Sequence, residues 1–326
     1  MSSIDQVDGS SIGSMQKKST NYKDQADDFF SNFLEPNNLN QIRSQVKQFI
    51  DCDTNHPTVL ITSGGTTVPM EHNTVRFVDN FSAGTRGSAS AEYFLEKGYK
   101  VIFLYRLKSL EPFTRHINVW QLMESLSSSD SGSQVGPSIG DNLSKTVKIY
   151  KENKANILMI TFTTLAEYLY YLREISFSMQ PLGPKAALYL AAAVSDFYIP
   201  PTDMATHKIQ SKNGPISLVF ELVPKMLRPL VKFWVPSAFV VSFKLETDES
   251  ILLDKARKAL LCYGHHLVIA NILHTRKSQV LIVTEKESHQ ITLPNPEMEI
   301  ESLIVDEVIS RHKTFINMKL NVEKLI

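Results

Sequence analysis

The chain has 326 residues, with 34 Lys and Arg against 34 Asp and Glu, 43% hydrophobic residues and 2 cysteines. A chain of this length buries about three quarters of the surface its unfolded form exposes, so it needs neither disulfides nor a structural metal to fold. A net charge of zero excludes a broad nucleic-acid surface, which depends on an excess of Lys and Arg, but leaves room for a small basic pocket. Cys52 and Cys262 stand in no CxxC or Cys/His cluster, which argues against a zinc module or a secreted disulfide framework and for a reducing, cytoplasmic location. The first thirty residues carry no apolar core that could serve as a secretory signal. No apolar run reaches the roughly 18 to 20 residues that span a bilayer.

Residues 1–25, rich in Ser, Gly, Asp and Lys, predict a disordered or loosely packed tail. Phe29, Phe30, Phe33, Ile42, Val46 and Ile50 predict helical segments broken at Glu35-Pro36-Asn37-Asn38. Thr58–Thr62 is a short, largely β-branched run that predicts a buried strand, and similar runs follow at Lys100–Tyr105, Ile157–Phe162, Ala187–Val194, Phe239–Phe243, Leu267–Ala270 and Val280–Val283. Between them, Thr164 and Glu167 stand in capping-box spacing ahead of a stripe at Leu165, Tyr168, Leu169 and Leu172. A further helix is expected over Asp248–Tyr263, with an acidic first turn and Gly264 after its end. The Ser/Gly-rich segment 125–142 reads as a flexible insertion. Strands apolar on both faces, alternating with helices, predict an α/β fold over 26–326: a single doubly wound, mainly parallel sheet with helices on both faces, Rossmann-like, whose ligands bind at the carboxyl ends of the strands.

The loops after those strands are therefore the candidate chemistry. Thr62-Ser63-Gly64-Gly65-Thr66-Thr67 offers adjacent glycines for close backbone approach to a ligand, or a tight turn. In Arg76-Phe77-Val78-Asp79-Asn80-Phe81-Ser82-Ala83-Gly84-Thr85-Arg86-Gly87, Ser82, Gly84 and Gly87 precede a helix whose positive end favours phosphate; a plain capped start is the alternative. Ala191-Ala192-Ala193-Val194-Ser195-Asp196 forgoes packing, as a strand end lying against a ligand would, with Asp196 free to accept a hydrogen bond or simply to begin a turn. Lys208 or Lys212, in a polar basic stretch, could swing over a polyphosphate. Phe243 could stack a base and Asn271 read its edge, although core and turn roles are the ordinary ones for these types. GxGxxG, GxxxxGK[ST], GxSxG and HExxH are all missing, so a standard dinucleotide fingerprint, a P-loop and the common hydrolase motifs have no support.

Taken in order, TSGGT, RFVDNFSAGTRG, AAAVSDFY, HKIQS, VPKML, SFKLET and ANIL resemble phosphopantothenoylcysteine synthetase (phosphopantothenate–cysteine ligase) of the monofunctional eukaryotic type, over approximately Pro57–His312. The resemblance implies ligation of 4'-phosphopantothenate to L-cysteine in coenzyme A biosynthesis, through an acyl nucleotidylate, with ATP as cosubstrate, CTP as the alternative, and Mg²⁺ accompanying the triphosphate without a protein metal site. It implies that Gly64, Ser82, Gly84, Gly87, Phe243 and Asn271 hold the nucleotide. Asn80, Ala192, Ala193 and Asp196 would hold the phosphopantothenate, and Asn80 and Lys208, the latter on a flap, would be catalytic. The family is dimeric. About fifty-seven residues precede the core, too few for the flavin-dependent decarboxylase fused to bacterial relatives, so no FMN is expected. The tail and the insertion are candidate surfaces for other coenzyme A enzymes. The competing readings are a dinucleotide-dependent oxidoreductase and a noncatalytic scaffold of the same fold.

Overall fold

The computed structural model describes residues 22–129 and 132–323. Six strands run parallel: β1 (Thr58–Ser63), β2 (Lys100–Arg106), β3 (Ile157–Phe162), β4 (Ala186–Leu190), β5 (Phe239–Glu246) and β6 (Leu267–Ile272). Antiparallel β7 (Gln279–Val283) and β8 (Ser288–Thr292) extend the β6 edge. The order across the sheet is β8-β7-β6-β5-β4-β1-β2-β3. Its parallel part is the doubly wound arrangement in which strand order reverses between β1 and β4, the place where such sheets open a crevice.

Alternate residues of each strand go to opposite faces. Leu60, Ile102, Leu188 and Val240 pack under α1 (Tyr22–Ser31), α2 (Leu39–Asp51) and the helix Leu165–Met179. Ile61, Val101, Tyr189 and Val241 pack under α3 (Thr85–Glu96) and the C-terminal helix Ile300–Glu323. With Pro137–Asn153 as α4, those two helices are α5 and α7, and α6 is Leu252–Tyr263. The expected capping box opens α5: Glu167 N–H donates to Thr164 Oγ1 at 3.2 Å, and Thr164 N–H to Glu167 Oε2 at 3.0 Å.

Four boundaries differ from the sequence expectation. Residues 1–21 of the expected tail lie outside the described residues, and residues 22–25 already belong to α1. Within the expected insertion, whose residues 130–131 lie outside the described residues, Leu126–Ser129 pairs with Gly132–Val135, and the chain then enters α4, where Pro137 supplies the preset φ of a first helical position. Strand β4 stops at Leu190, four residues early, because the backbone beyond it bonds to the loop after β1. Helix α3 begins at Thr85, so Gly87 lies inside its first turn.

α7 is locked to the sheet through His312, which is fully buried. Pro184 C=O can only accept, so His312 Nε2 donates to it at 2.9 Å and Nδ1 accepts from Tyr99 OH at 2.9 Å. Phe239 stacks on both His312 and His266. Burial first, with neighbouring cationic or histidine groups adding at two of them, lowers His265, His266 and His312 to about 4. An unfolded chain protonates histidine near pH 6.5, so the folded state holds its full advantage above that pH and loses it on acidification toward pH 4, by on the order of 3 kcal/mol for each histidine whose shift is fully expressed. The denaturation midpoint is therefore expected to fall steeply between pH 6.5 and 4.5, and a flat profile over that window would contradict the assignment.

Candidate active site

At the β1/β4 reversal two loops are stitched together. Ala193 N–H donates to Gly64 C=O at 2.8 Å, and Thr66 N–H donates to Ala193 C=O at 3.1 Å. Two hydroxyls of the first loop tie the second: Thr62 Oγ1 accepts from Ala192 N–H at 3.2 Å, and Thr66 Oγ1 from Ser195 N–H at 3.0 Å. Asn80 is laid across this platform, its N–H donating to Thr66 C=O at 3.1 Å. A Cβ at Gly65 would sit 1.6 Å from Asn80 O, so only glycine admits the crossing. Arg106 secures the same place by donating to Gly65 C=O at 2.9 Å and to Asp79 Oδ1 at 3.0 Å.

A cleft of about 1040 Å³ opens above this platform. The segment before α3 contributes Asn80, Ser82 and Gly84 to its wall; the end of β4 contributes Ala192, Ala193 and Asp196; β5 and β6 contribute Phe243 and Asn271. Gly84 has φ +82°, and no side chain caps α3, whose first N–H groups are left for an acceptor in the cleft. Phe243 stands edge-on to Tyr189 with ring centroids 4.9 Å apart. Asn271 Nδ2 donates to Lys244 C=O at 3.2 Å, and its amide oxygen has no hydrogen-bond partner among the described residues. The Asn80 side-chain amide has no hydrogen-bond partner among the described residues.

Three expected site residues do not line the cleft. Gly64 lies beneath it with φ +82°, where a Cβ would come 2.5 Å from Arg106 Cβ. Gly87 faces β1, and a Cβ there would meet Ser63 Oγ at 2.4 Å. These two glycines let α3 and the β2 loop close onto β1. Lys208 is exposed on the segment outside the cleft.

Comparison with known proteins places this architecture. Residues 54–127 and 176–310 match the family model of the DNA/pantothenate metabolism flavoprotein C-terminal domain. The human phosphopantothenate–cysteine ligase is 46% identical over 276 residues, covering 79% of this chain and 87% of the human one. The chain belongs to the phosphopantothenate–cysteine ligase family. The Saccharomyces cerevisiae ligase CAB2 is 40% identical and covers 90% of this chain and 88% of its own. The structure of a Cab2 mutant in complex with phosphopantothenate-cysteine superposes with a TM-score of 0.84 at 40% identity, covering 90% of this chain and 99% of that one.

Around its glycines and alanines the cleft carries a local excess of positive charge. Lys225, Lys244, Lys255, Lys258 and Lys277 line it with Arg86 and Arg276, against only Asp196 and Glu301. Both acids are paired. Lys225 donates to Asp196 Oδ1 at 2.9 Å, and Arg86 to Glu301 Oε1 at 2.8 Å. Burial works against the Lys225 ammonium, but the bond to Asp196 outweighs it and holds the group above its ordinary value. Burial pushes Glu301 upward, with Arg86 opposing. Lys258 and Lys277 have no ion-pair partner among the described residues. Sequence reading missed the lysines of α6, although the apolar stripe at Leu252, Ala256, Ala259 and Leu260 already implied which flank of the helix they occupy.

It also missed what anchors the segment that carries Lys208. Glu71 is fully buried, and its carboxylate accepts from Arg76 Nε at 3.0 Å and Nη2 at 2.7 Å and from the Arg76 N–H at 3.1 Å. Burial would raise its pKa, but the bonds from Arg76 and the surrounding backbone outweigh that and hold it below the usual range. Arg76 Nη2 also donates to Ile209 C=O at 2.7 Å, beside Lys208. Neither partner announces itself in sequence, because a surface Glu–Arg pair five residues apart looks the same. Glu71→Gln is expected to speed tryptic cleavage after Lys208 and Lys212 severalfold under native conditions; an unchanged rate would show that this segment is held elsewhere.

Proposed function

We propose that the chain joins 4'-phosphopantothenate to L-cysteine at the expense of ATP, with CTP the alternative nucleotide. The observation that carries this reading is the convergence, in one cation-rich cleft, of Asn80, Ala192, Ala193 and Asp196 with Ser82, Gly84, Phe243 and Asn271. A carboxylate is a poor acyl donor, since its leaving group would be oxide. In the proposed route its oxygen attacks the α-phosphorus, pyrophosphate departs, and the cysteine amine then attacks the acyl carbon and releases AMP. Asn80, whose amide is unpartnered, would donate to the reacting carboxylate and then to the acyl phosphate. The open N-terminus of α3 with Ser82 and Gly84 would receive phosphate oxygens, and Phe243 and Asn271 would lie near base and sugar. Ala192 and Ala193 leave room for the pantothenate arm, with Asp196 accepting from it. Lys208 would reach the phosphates when its flap closes, a movement its exposed position permits.

Among the described residues no cluster of three or more His, Cys, Asp or Glu could hold a metal, and both acids of the cleft are spoken for. Mg²⁺ would enter as the complex of the triphosphate, bound chiefly by its phosphates. Among the described residues no helix is long and apolar enough to cross a membrane. Exposed Phe77, Val78 and Phe81 near Asn80, and Phe197 and Leu222 near Asp196, favour a homodimer in which a second copy covers the short strand pairs formed by Thr67–Pro69 with Phe77–Asp79 and by Phe197–Tyr198 with Glu221–Leu222. The strand order alone would equally serve a dinucleotide-dependent oxidoreductase; the loop after β1 lacks the glycine pattern that such enzymes require.

Incubation with phosphopantothenate, cysteine, Mg²⁺ and either ATP or CTP tests the reading. Pyrophosphate release should require phosphopantothenate, and a new thiol product should require cysteine as well. Asn80→Ala is expected to lower kcat about 100-fold with little change in melting temperature. If neither nucleotide is consumed, the ligase reading fails, and an unaltered rate in the variant removes Asn80 from the mechanism.

A further inference from the structure

Ser242 of β5 lies between Phe243, discussed above, and Val241, and belongs to the cleft wall. Its hydroxyl is 2.8 Å from Nε2 of His265, the second residue after the end of α6. His265 is 6% exposed, and its other ring nitrogen, Nδ1, is wholly buried with no hydrogen-bond partner among the described residues. Burial keeps this ring neutral at physiological pH, so it carries a single N–H. Placed on Nδ1, that proton would be a buried donor without an acceptor, which folded proteins rarely tolerate, whereas a bare ring lone pair is less demanding. The proton therefore sits on Nε2 and is donated to Ser242 Oγ. One consequence follows for the serine: its own hydroxyl proton cannot point back at the ring, and it finds no other acceptor among the described residues. It is left to the cleft, whose wall also carries Lys258, without an ion-pair partner among the described residues, and Lys225, Lys244 and Lys255, held by Asp196 and Glu246.

We propose that Ser242 donates a hydrogen bond to a phosphate or carboxylate oxygen of a substrate bound in the cleft, and that His265 is a positioning residue that holds the serine in the donor state. The inference rests on the ligase reading for the identity of the substrates. Its geometry, a buried histidine under a wall serine, is separate from the loops that support that reading. The oxygen could belong to the nucleoside triphosphate or to phosphopantothenate, and the kinetics distinguish the two.

The test uses full-length enzyme with phosphopantothenate, cysteine and the nucleotide that the wild type turns over. A wild type without turnover defeats the ligase reading itself; the proposal on Ser242 is judged against an active wild type. Ser242→Ala is expected to lower kcat/KM about tenfold, as for loss of a hydrogen bond to a charged group, while the melting temperature stays within a few degrees. A rise in KM confined to the nucleotide assigns the acceptor to the triphosphate, and one confined to phosphopantothenate assigns it there. His265→Leu should lose as much, His265→Gln, which can still donate at the Nε2 position, should restore activity to within about threefold, and His265→Leu combined with Ser242→Ala should lose no more than Ser242→Ala alone. In ¹⁵N-labelled enzyme the His265 Nε2 signal should be that of a protonated nitrogen. Values of kcat/KM within twofold of wild type for both substrates in Ser242→Ala, or a proton found on Nδ1, would overturn the proposal.

Discussion

The two backbone hydrogen bonds between Gly64, Thr66 and Ala193 close the gap at the one place where the sheet reverses its winding. Parallel strands diverge at such a point, and a crevice forms by default. Here the diverging loops are drawn together at their base and kept apart above it, so the crevice has a floor. Asn80 rests on that floor because Gly65 has no side chain, and α3 approaches because Gly87 has none. The positions of Asn80, Ser82 and Gly84 on one side and Ala192, Ala193 and Asp196 on the other are consequences of that single closure.

Charge is arranged on the same principle of local concentration. The chain as a whole is neutral, yet its cleft gathers seven basic side chains against two acids. The fold accomplishes this by bringing α6, the loop after β6 and the Lys225 segment to one edge of the sheet. Lys225 and Arg86 are held by Asp196 and Glu301, and Lys244 and Lys255 by Glu246, so they are preorganised cations, while Lys258 and Lys277 have no ion-pair partner among the described residues. An anion entering such a site encounters charge whose orientation has already been fixed, the condition under which electrostatic stabilisation is most effective.

Much of this was legible in the residues. The buried strands announce themselves by β-branched runs, and β3 spans Ile157–Phe162 as expected; α5 begins at its capping box. The loops that form the cleft could be singled out because glycines and alanines at strand ends forgo packing for which there is no local reason. What could not be read depends on contacts distant in sequence. Gly64 and Gly87 look like ligand-binding glycines, but only the positions of Arg106 and Ser63 show that their missing side chains admit neighbouring protein. The antiparallel β7 and β8 continue a parallel sheet, which a run of apolar residues cannot signal. Glu71 is buried and half-buried Arg76 is bonded to it only because the backbone on either side of Lys208, at Ala205 and Ile209, folds against them. His265 follows a helix and its partner Ser242 lies on a strand more than twenty residues earlier, so nothing local in the sequence pairs them.

In the proposed route the carboxylate of phosphopantothenate, held beside Asn80, is activated by bonding through oxygen to the α-phosphorus of the nucleotide. Turnover of phosphopantothenate labelled with ¹⁸O in its carboxylate measures this directly, because the oxygen that attacks phosphorus leaves with the nucleotide when cysteine displaces it. The account predicts one ¹⁸O in the phosphate of the nucleoside monophosphate. Unlabelled monophosphate, or label appearing in inorganic phosphate, would contradict it.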